Sequence, residues 1–350
     1  MIEPIQQRIE EQGPLSFADY MAMALYTPEQ GYYARGIRQV GRGGDFYTSV
    51  SVGSCFGELL ARRFLAEWER LGRPERWRIT ECGAHDGRLA LDILDALQAS
   101  EPASYGALEY AIAEPLENLR AAQANTLAPH GKRLNQVKTA NPLKPLPGVV
   151  FGNEVLDALP CQVIEWNGSS WQECAVGMHE GKLEWELRPI HDPELQAAVD
   201  TLGNDFPRGY RTEVRTGYPN FLAPLHQSLS QGLLLWIDYG FERPDYYQRD
   251  RHQGTLRTFE HHQAGNDPLV LPGELDISAH VDFTAVAEVS ERLGGKPKPL
   301  TSQGNWLTRV AKDWLLAQEG KADAQAVRQF QTLTHPGHLG KAFQVLEVEV

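Results

Sequence analysis

WRITECGAHDGRLALDILDALQ, residues 77–98, is the stretch on which the fold turns. Trp77–Cys82 is a short β-rich run, Gly83 and Gly87 bracket a turn, and from Arg88 onward apolar residues recur at helical spacing. The same succession returns downstream. YAIAE (110–114) precedes the helical pattern LENLRAAQANTL (116–127), and VVFGNE (149–154) closes a third β-rich run. Short strands alternating with helices predict an α/β chain with a mostly parallel, doubly wound sheet. Ligands of such sheets bind beyond the carboxyl ends of the strands, so the residues that end each run become the candidates.

On the amino side, Ser16 followed by Asp19 predicts a helix start and Thr27-Pro28 its stop. A glycine-rich stretch from Gly36 to Ser49 reads as a loop, and a helix is expected from about Val52 to Leu71. On the carboxyl side, Cys161–Pro189 alternates polar and apolar residues around Asn167-Gly168 and Glu180-Gly181, the pattern of an antiparallel hairpin or meander. A helix in FLAPLHQSLS (221–230) and a strand in GLLLWIDYG (232–240) resume the α/β pattern. Phe241–Ile277 has little periodicity and reads as a long loop; a helix over 281–293, two helical runs after Gly304 and a closing strand FQVLEVEV complete the chain.

With 350 residues, of which 42% are hydrophobic and 23% charged, the chain can bury a large core and is not of disordered composition. Lys+Arg 33 against Asp+Glu 46 leaves a net charge of −13, which excludes a general nucleic-acid binder and suits a basic partner. Cys55, Cys82, Cys161 and Cys174 form no C-x-x-C pair, so neither a zinc ribbon nor a disulfide framework is expected and a reducing compartment fits. The leading MIEPIQQRIEEQG lacks the apolar block of a secretory signal, so a cytoplasmic protein is expected. Nothing approaches the roughly 20 apolar residues of a membrane span, so no membrane insertion is expected.

Three strand ends carry the chemistry. In Glu81–Gly87 (ECGAHDG), glycines let the backbone turn tightly toward a nucleotide-like ligand, although two glycines also suit an ordinary strand-to-helix turn. Glu114 ends the second strand, where an acid accepts both ribose hydroxyls of a nucleoside or else caps the following helix. Asn153 and Glu154 end the third and face the crevice, unless Asn153 merely stops the strand and Asp157 lies on an exposed helical turn. His252, His261, His262 and His280 with Asp276 lack any H-x-x-x-H spacing, so no metal site is expected, and without a G-x-S-x-G elbow neither is a serine hydrolase.

GDFYTS (44–49), FGELLARRF (56–64), ECGAHDGRL (81–89), AEPLENLRAAQ (113–123), GNEVLDALP (152–160), WIDYG (236–240), GTLRTFEHH (254–262) and GELDISAHVDF (273–283) occur in the order found in the MidA-like methyltransferases. The chain resembles that family, which includes the mitochondrial arginine methyltransferase that assists complex I assembly, over nearly its whole length. The resemblance implies a class I methyltransferase (Rossmann-like) fold with an N-terminal helical extension (1–75), a core (76–160 and 219–350) and an inserted antiparallel β region on the substrate side (161–218). It implies S-adenosyl-L-methionine as cofactor. Glu81, Gly83, His85 and Gly87 would form the cofactor loop and Glu114 would be the ribose acid. Asp45, Phe46, Thr48 and Ser49 would belong to a segment closing over the cofactor.

Asn153 to Asp157 would face the transferred methyl, with Asn153, Glu154 and Asp157 as the catalytic set and the two carboxylates orienting a guanidinium. The implied acceptor is a protein arginine, on a respiratory-complex subunit or another protein; oligomeric state is not legible. One departure stands out: His85 occupies the position of the family's middle glycine. A side chain there would either press on the methionine part of the cofactor or force a non-glycine residue to an unfavourable φ. The alternatives are a catalytically inactive methyltransferase-fold protein acting as an assembly or binding factor, and a nicotinamide-dependent oxidoreductase.

Overall fold

The computed structural model describes residues 1–35, 48–141, 143–260, 263–317 and 323–350. Its contacts divide the chain into two compact units: Met1–Gly36, Asp157–Asn220 and Phe241–Asp282 form one, and Ile37–Leu156, Phe221–Gly240 and Phe283–Val350 the other. The first 75 residues are therefore shared between the units, and the 161–218 segment falls wholly within the first.

In the second unit, β1 (Trp77–Cys82), β2 (Leu108–Ala113), β3 (Leu134–Val137) and β4 (Leu146–Asn153) are parallel, in spatial order β3-β2-β1-β4. Beyond β4 lies the parallel strand Leu229–Phe241, and then the antiparallel Phe343–Glu349. From β1 the chain steps outward to β2 and β3, then returns to β4 on the opposite side of β1. The strand order thus reverses between β1 and β4, which opens a crevice at their carboxyl ends.

All six residues of β1 are buried, as a strand covered on both faces requires. Helix Cys55–Arg70 contributes Phe56, Leu60 and Phe64 to the core, and helix Arg88–Ser100 contributes Leu89, Ile93 and Leu97. Phe64 meets Phe151 of β4 with ring centroids 5.1 Å apart. Each such side chain contributes about 1.5–3 kcal/mol through burial. Gly57 permits the close approach of the two helices, because a β-carbon there would lie 2.5 Å from the Asp92 Cβ.

The first unit holds a four-stranded antiparallel sheet, Gln162–Trp166, Trp171–His179, Lys182–Pro189 and Tyr210–Val214. The expected turns at Asn167-Gly168 and Glu180-Gly181 join its hairpins, with Glu180 at φ 48° and Gly181 at φ 78°. Helix Phe17–Tyr26 starts as expected: the Ser16 hydroxyl oxygen accepts the Asp19 N–H at 3.0 Å.

Some expectations need correction. The long 241–277 segment contains strands Arg257–Glu260, Gln263–Gly265 and Asp276–Ser278, which form a small antiparallel sheet in spite of their weak periodicity. After Gly304 the described residues contain three helical pieces, Gln303–Val310, Lys312–Ala317 and Ala324–Thr334, rather than two. Among the described residues no helix is long and apolar enough to cross a membrane.

Candidate active site

The carboxyl end of β1 delivers Glu81, which is 2% exposed and accepts a hydrogen bond from the Tyr110 hydroxyl of β2 at 2.7 Å. Burial raises its pKa to about 8, against the lowering effect of that bond. The chain then turns through Gly83 at φ 70°, His85 at φ 45° and Gly87 at φ 84° into helix Arg88–Ser100. The Gly87 N–H donates to the Ala84 carbonyl at 2.7 Å, and the Asp86 carboxylate accepts the Arg88 N–H at 3.1 Å.

Of the two consequences foreseen for His85, the left-handed backbone is realised. Its ring is 31% exposed, with Nδ1 at 3.7 Å from the Asp86 carboxylate, and the imidazole holds that carboxyl below its ordinary pKa. A non-glycine residue held at positive φ carries a strain of about 1–3 kcal/mol, which the surroundings must offset.

Glu114 follows β2. It is 4% exposed; its Oε1 accepts the Leu116 N–H at 2.9 Å, and its Oε2 faces the Gln123 amide at 3.4 Å. Burial raises its pKa, opposed first by the Leu116 N–H and then by the Gln123 amide. One oxygen thus takes up a backbone N–H at the start of the following helix, while the carboxylate keeps further acceptor capacity.

β4 ends at Asn153. Its amide donates to Glu154 Oε1 at 2.9 Å, while its buried Oδ1 has no hydrogen-bond partner among the described residues. Glu154 adopts φ 53°, and its N–H donates to the Ile237 carbonyl at 2.9 Å. The turn is fixed by Asp238, which is fully buried: its Oδ2 accepts from Val155 N at 3.1 Å and Leu156 N at 2.8 Å, and its Oδ1 from Tyr239 N at 2.8 Å. Val155 then packs on bare backbone at Gly83, just past β1, and at Gly152 of β4, since β-carbons there would lie 3.1 and 2.4 Å from its methyl groups.

No role for Asp238 followed from the sequence. The available signal was a carboxylate at the end of an otherwise apolar buried strand.

The remaining candidates precede helix Cys55–Arg70 in the chain or follow the β4 turn. Ser49 is fully buried and its hydroxyl donates to Gln303 Oε1 at 3.0 Å, which makes it a packing link. Thr48 is half-buried and shares a turn with Ser51, its N–H bonded to Ser51 Oγ at 3.1 Å. Asp45 and Phe46 lie outside the described residues, as do His261 and His262.

Asp157 belongs to the first unit, on a turn rather than a helical turn. Burial raises its pKa, and Arg215 opposes the shift. The Arg215 guanidinium donates to four main-chain carbonyls, those of Asp157 (2.6 Å), Leu159 (2.9 Å), Ala279 (2.7 Å) and His280 (2.7 Å). It staples residues 157–159 to residues 279–280 within that unit, a role no motif signalled.

A family model described as "Putative S-adenosyl-L-methionine-dependent methyltransferase" matches residues 59–299. The chain belongs to this methyltransferase family. A crystal structure from Burkholderia thailandensis with S-adenosyl-homocysteine bound is similar to the methyltransferase at TM-score 0.89 and 32% identity, covering 100% of this chain and 91% of that one. The Drosophila melanogaster protein arginine methyltransferase NDUFAF7 homolog, mitochondrial, is 27% identical over 99% of this chain and 84% of its own length. The Mus musculus protein arginine methyltransferase NDUFAF7, mitochondrial, is 28% identical over 98% and 83%.

The methyltransferase thus has the class I fold and uses S-adenosyl-L-methionine. An inactive scaffold and a nicotinamide enzyme are not favoured. The expectation of a cytoplasmic protein is overturned, because these relatives are named as mitochondrial. Surface charge and an opening segment without an apolar block do not encode the compartment.

Proposed function

We propose that the methyltransferase transfers the methyl group to an arginine side chain of a protein, and that its cofactor lodges at the carboxyl ends of β1, β2 and β4. The observation carrying this reading is the convergence of Glu81, the Gly83–Gly87 turn, Glu114 and Asn153-Glu154 on three adjacent parallel strands, around the point where strand order reverses. The residues present suit the group. Glu114 retains acceptor capacity for ribose hydroxyls, and the buried Asn153 Oδ1 offers an acceptor to an ammonium or guanidinium N–H. S-adenosylmethionine supplies an electrophilic methyl on a sulfonium.

The chain's own residues mainly position. Gly83 and Gly87 shape the turn, and Asn153 fixes the Glu154 carboxylate. Glu154 and Asp157 are the proposed carboxylates that orient the guanidinium, which stays protonated in water and is recognised by planar, charge-assisted hydrogen bonds. Aligning the reactants in this way can contribute on the order of 7–11 kcal/mol without a covalent intermediate. The 161–218 region is the proposed substrate-side part, and Thr48 with the preceding Asp45-Phe46 the proposed cover of the cofactor.

The names of the relatives support the arginine acceptor, and the net charge of −13 favours encounter with a basic protein. The family resemblance supports a respiratory-complex subunit as that protein. The test is transfer of labelled methyl from S-adenosylmethionine to protein in a mitochondrial lysate, read by mass spectrometry. Methylarginine is expected in wild type and absent in Glu154→Gln; label only on small molecules or RNA would refute the assignment.

A further inference from the structure

Gln123 belongs to none of the strand ends, yet it is fully buried and joins two of them. It lies on helix Glu117–Thr126, and its Nε2 donates to the His85 carbonyl at 3.0 Å while facing Glu114 Oε2 at 3.4 Å. The orientation of its amide is fixed from behind. Gln136 Nε2 donates to Gln123 Oε1 at 3.1 Å and to the Arg120 carbonyl at 2.7 Å, so the Gln123 oxygen faces β3 and its NH2 group faces the crevice. Gly87 closes against the same residue, where a β-carbon would lie 3.3 Å from the Gln123 Cα.

His85 needs such a hold. At φ 45° it occupies a conformation that glycine adopts freely and histidine does not, and its carbonyl accepts a hydrogen bond from Gln123. We propose that Gln123 is the positioning residue of the cofactor crevice, whose amide holds the strained His85 loop and the Glu114 carboxylate in one fixed relation. This rests on the placement of the cofactor proposed above. In chains with glycine in the middle of the turn the hold would be dispensable; here the side chain at position 85 makes it necessary.

The experiment is a double-mutant cycle read by calorimetric titration of S-adenosyl-homocysteine, with melting of the ligand-free chains recorded alongside. Gln123→Met keeps the volume and removes the donor; it is expected to weaken binding about tenfold, or about 1.4 kcal/mol. In a His85→Gly background the same substitution is expected to cost less than about threefold. A merely structural role would lower the melting temperature but give equal losses in both backgrounds, and that equality overturns the proposal.

Gln123→Glu keeps the shape and sets an acceptor against the His85 carbonyl and Glu114, so it serves if the methionine variant does not fold. Its expected loss exceeds tenfold at pH 8, and wild-type affinity in this variant overturns the proposal. Wild-type protein that binds no S-adenosyl-homocysteine would refute the cofactor placement itself; wild type that binds, matched by Gln123→Met, refutes the role of Gln123 alone.

Discussion

Two turns leave adjacent parallel strands of the same sheet, and each puts a non-glycine residue in the left-handed region: His85 at φ 45° after β1 and Glu154 at φ 53° after β4. They are held by different means. The β4 turn is fixed by an ionisable group, the buried Asp238 carboxylate, which takes up three backbone N–H groups. The β1 turn is held by a neutral amide that donates to one carbonyl. Three backbone donors converging on a fully buried carboxylate tie one turn to the core, whereas the other is tied to the neighbouring helix through one amide. The β4 turn should therefore register perturbation as lost stability, and the β1 turn as lost affinity.

The largest effect is expected at Asp238. Asp238→Asn sets an NH2 group against at least one backbone donor and removes the charge, which should cost about 3 kcal/mol, since bonds to a charged group contribute about 1.5–3 and a buried orphan costs about 1–3. Denaturant unfolding of the ligand-free protein reads this directly. A loss below about 0.5 kcal/mol would erase the distinction between the two turns.

A smaller effect of opposite sign is expected at His85. His85→Gly relieves the left-handed strain and should stabilise the ligand-free chain by about 1 kcal/mol, partly offset by the greater freedom of the unfolded chain. Glu154→Gly gains the same backbone relief but loses the bond from the Asn153 amide, and should come out near zero. Equal gains from both would show that the side chains at the two turns do not differ in what they hold.

The smallest effect concerns pH and lies outside both turns. His226 is buried with neither ring nitrogen bonded among the described residues, and burial lowers its pKa from 6.5 to about 4. Well above pH 6.5 the ring is neutral in folded and unfolded chains alike. As pH falls from 6.5 toward 4 the unfolded chain binds the proton first, so stability declines across that window. His226→Phe should flatten the decline in a melting series, and an unchanged slope would contradict it.

The sheet was legible because its strands are short apolar runs ending at glycine, asparagine or carboxylate, the signature of strands covered on both faces. The hairpins of the first unit were legible from Asn167-Gly168 and Glu180-Gly181, whose backbone demands are local. β3 was not, since Leu134–Val137 is four residues long and only partly buried. The strands within 241–277 were missed for a similar reason, because pairing with distant partners rather than local periodicity defines them.

Of the proposed cofactor crevice, Glu81, Glu114 and Asn153 were readable from position alone. Gln123, Asp238 and Arg215 were not, since their roles arise from main-chain groups at a distance in sequence, which spacing does not encode. The bond from the Ser49 hydroxyl to Gln303 was equally illegible, because the two residues are far apart in sequence.

The central claim is that a nucleoside cofactor is received at the carboxyl ends of β1, β2 and β4, with Glu114 accepting its ribose. Titration of S-adenosyl-homocysteine into wild type and Glu114→Ala, at equal folded fraction, tests it most directly. Saturable binding by wild type, weakened at least about tenfold in the variant, or about 1.4 kcal/mol, is the predicted result. Equal affinity in the two proteins would contradict it.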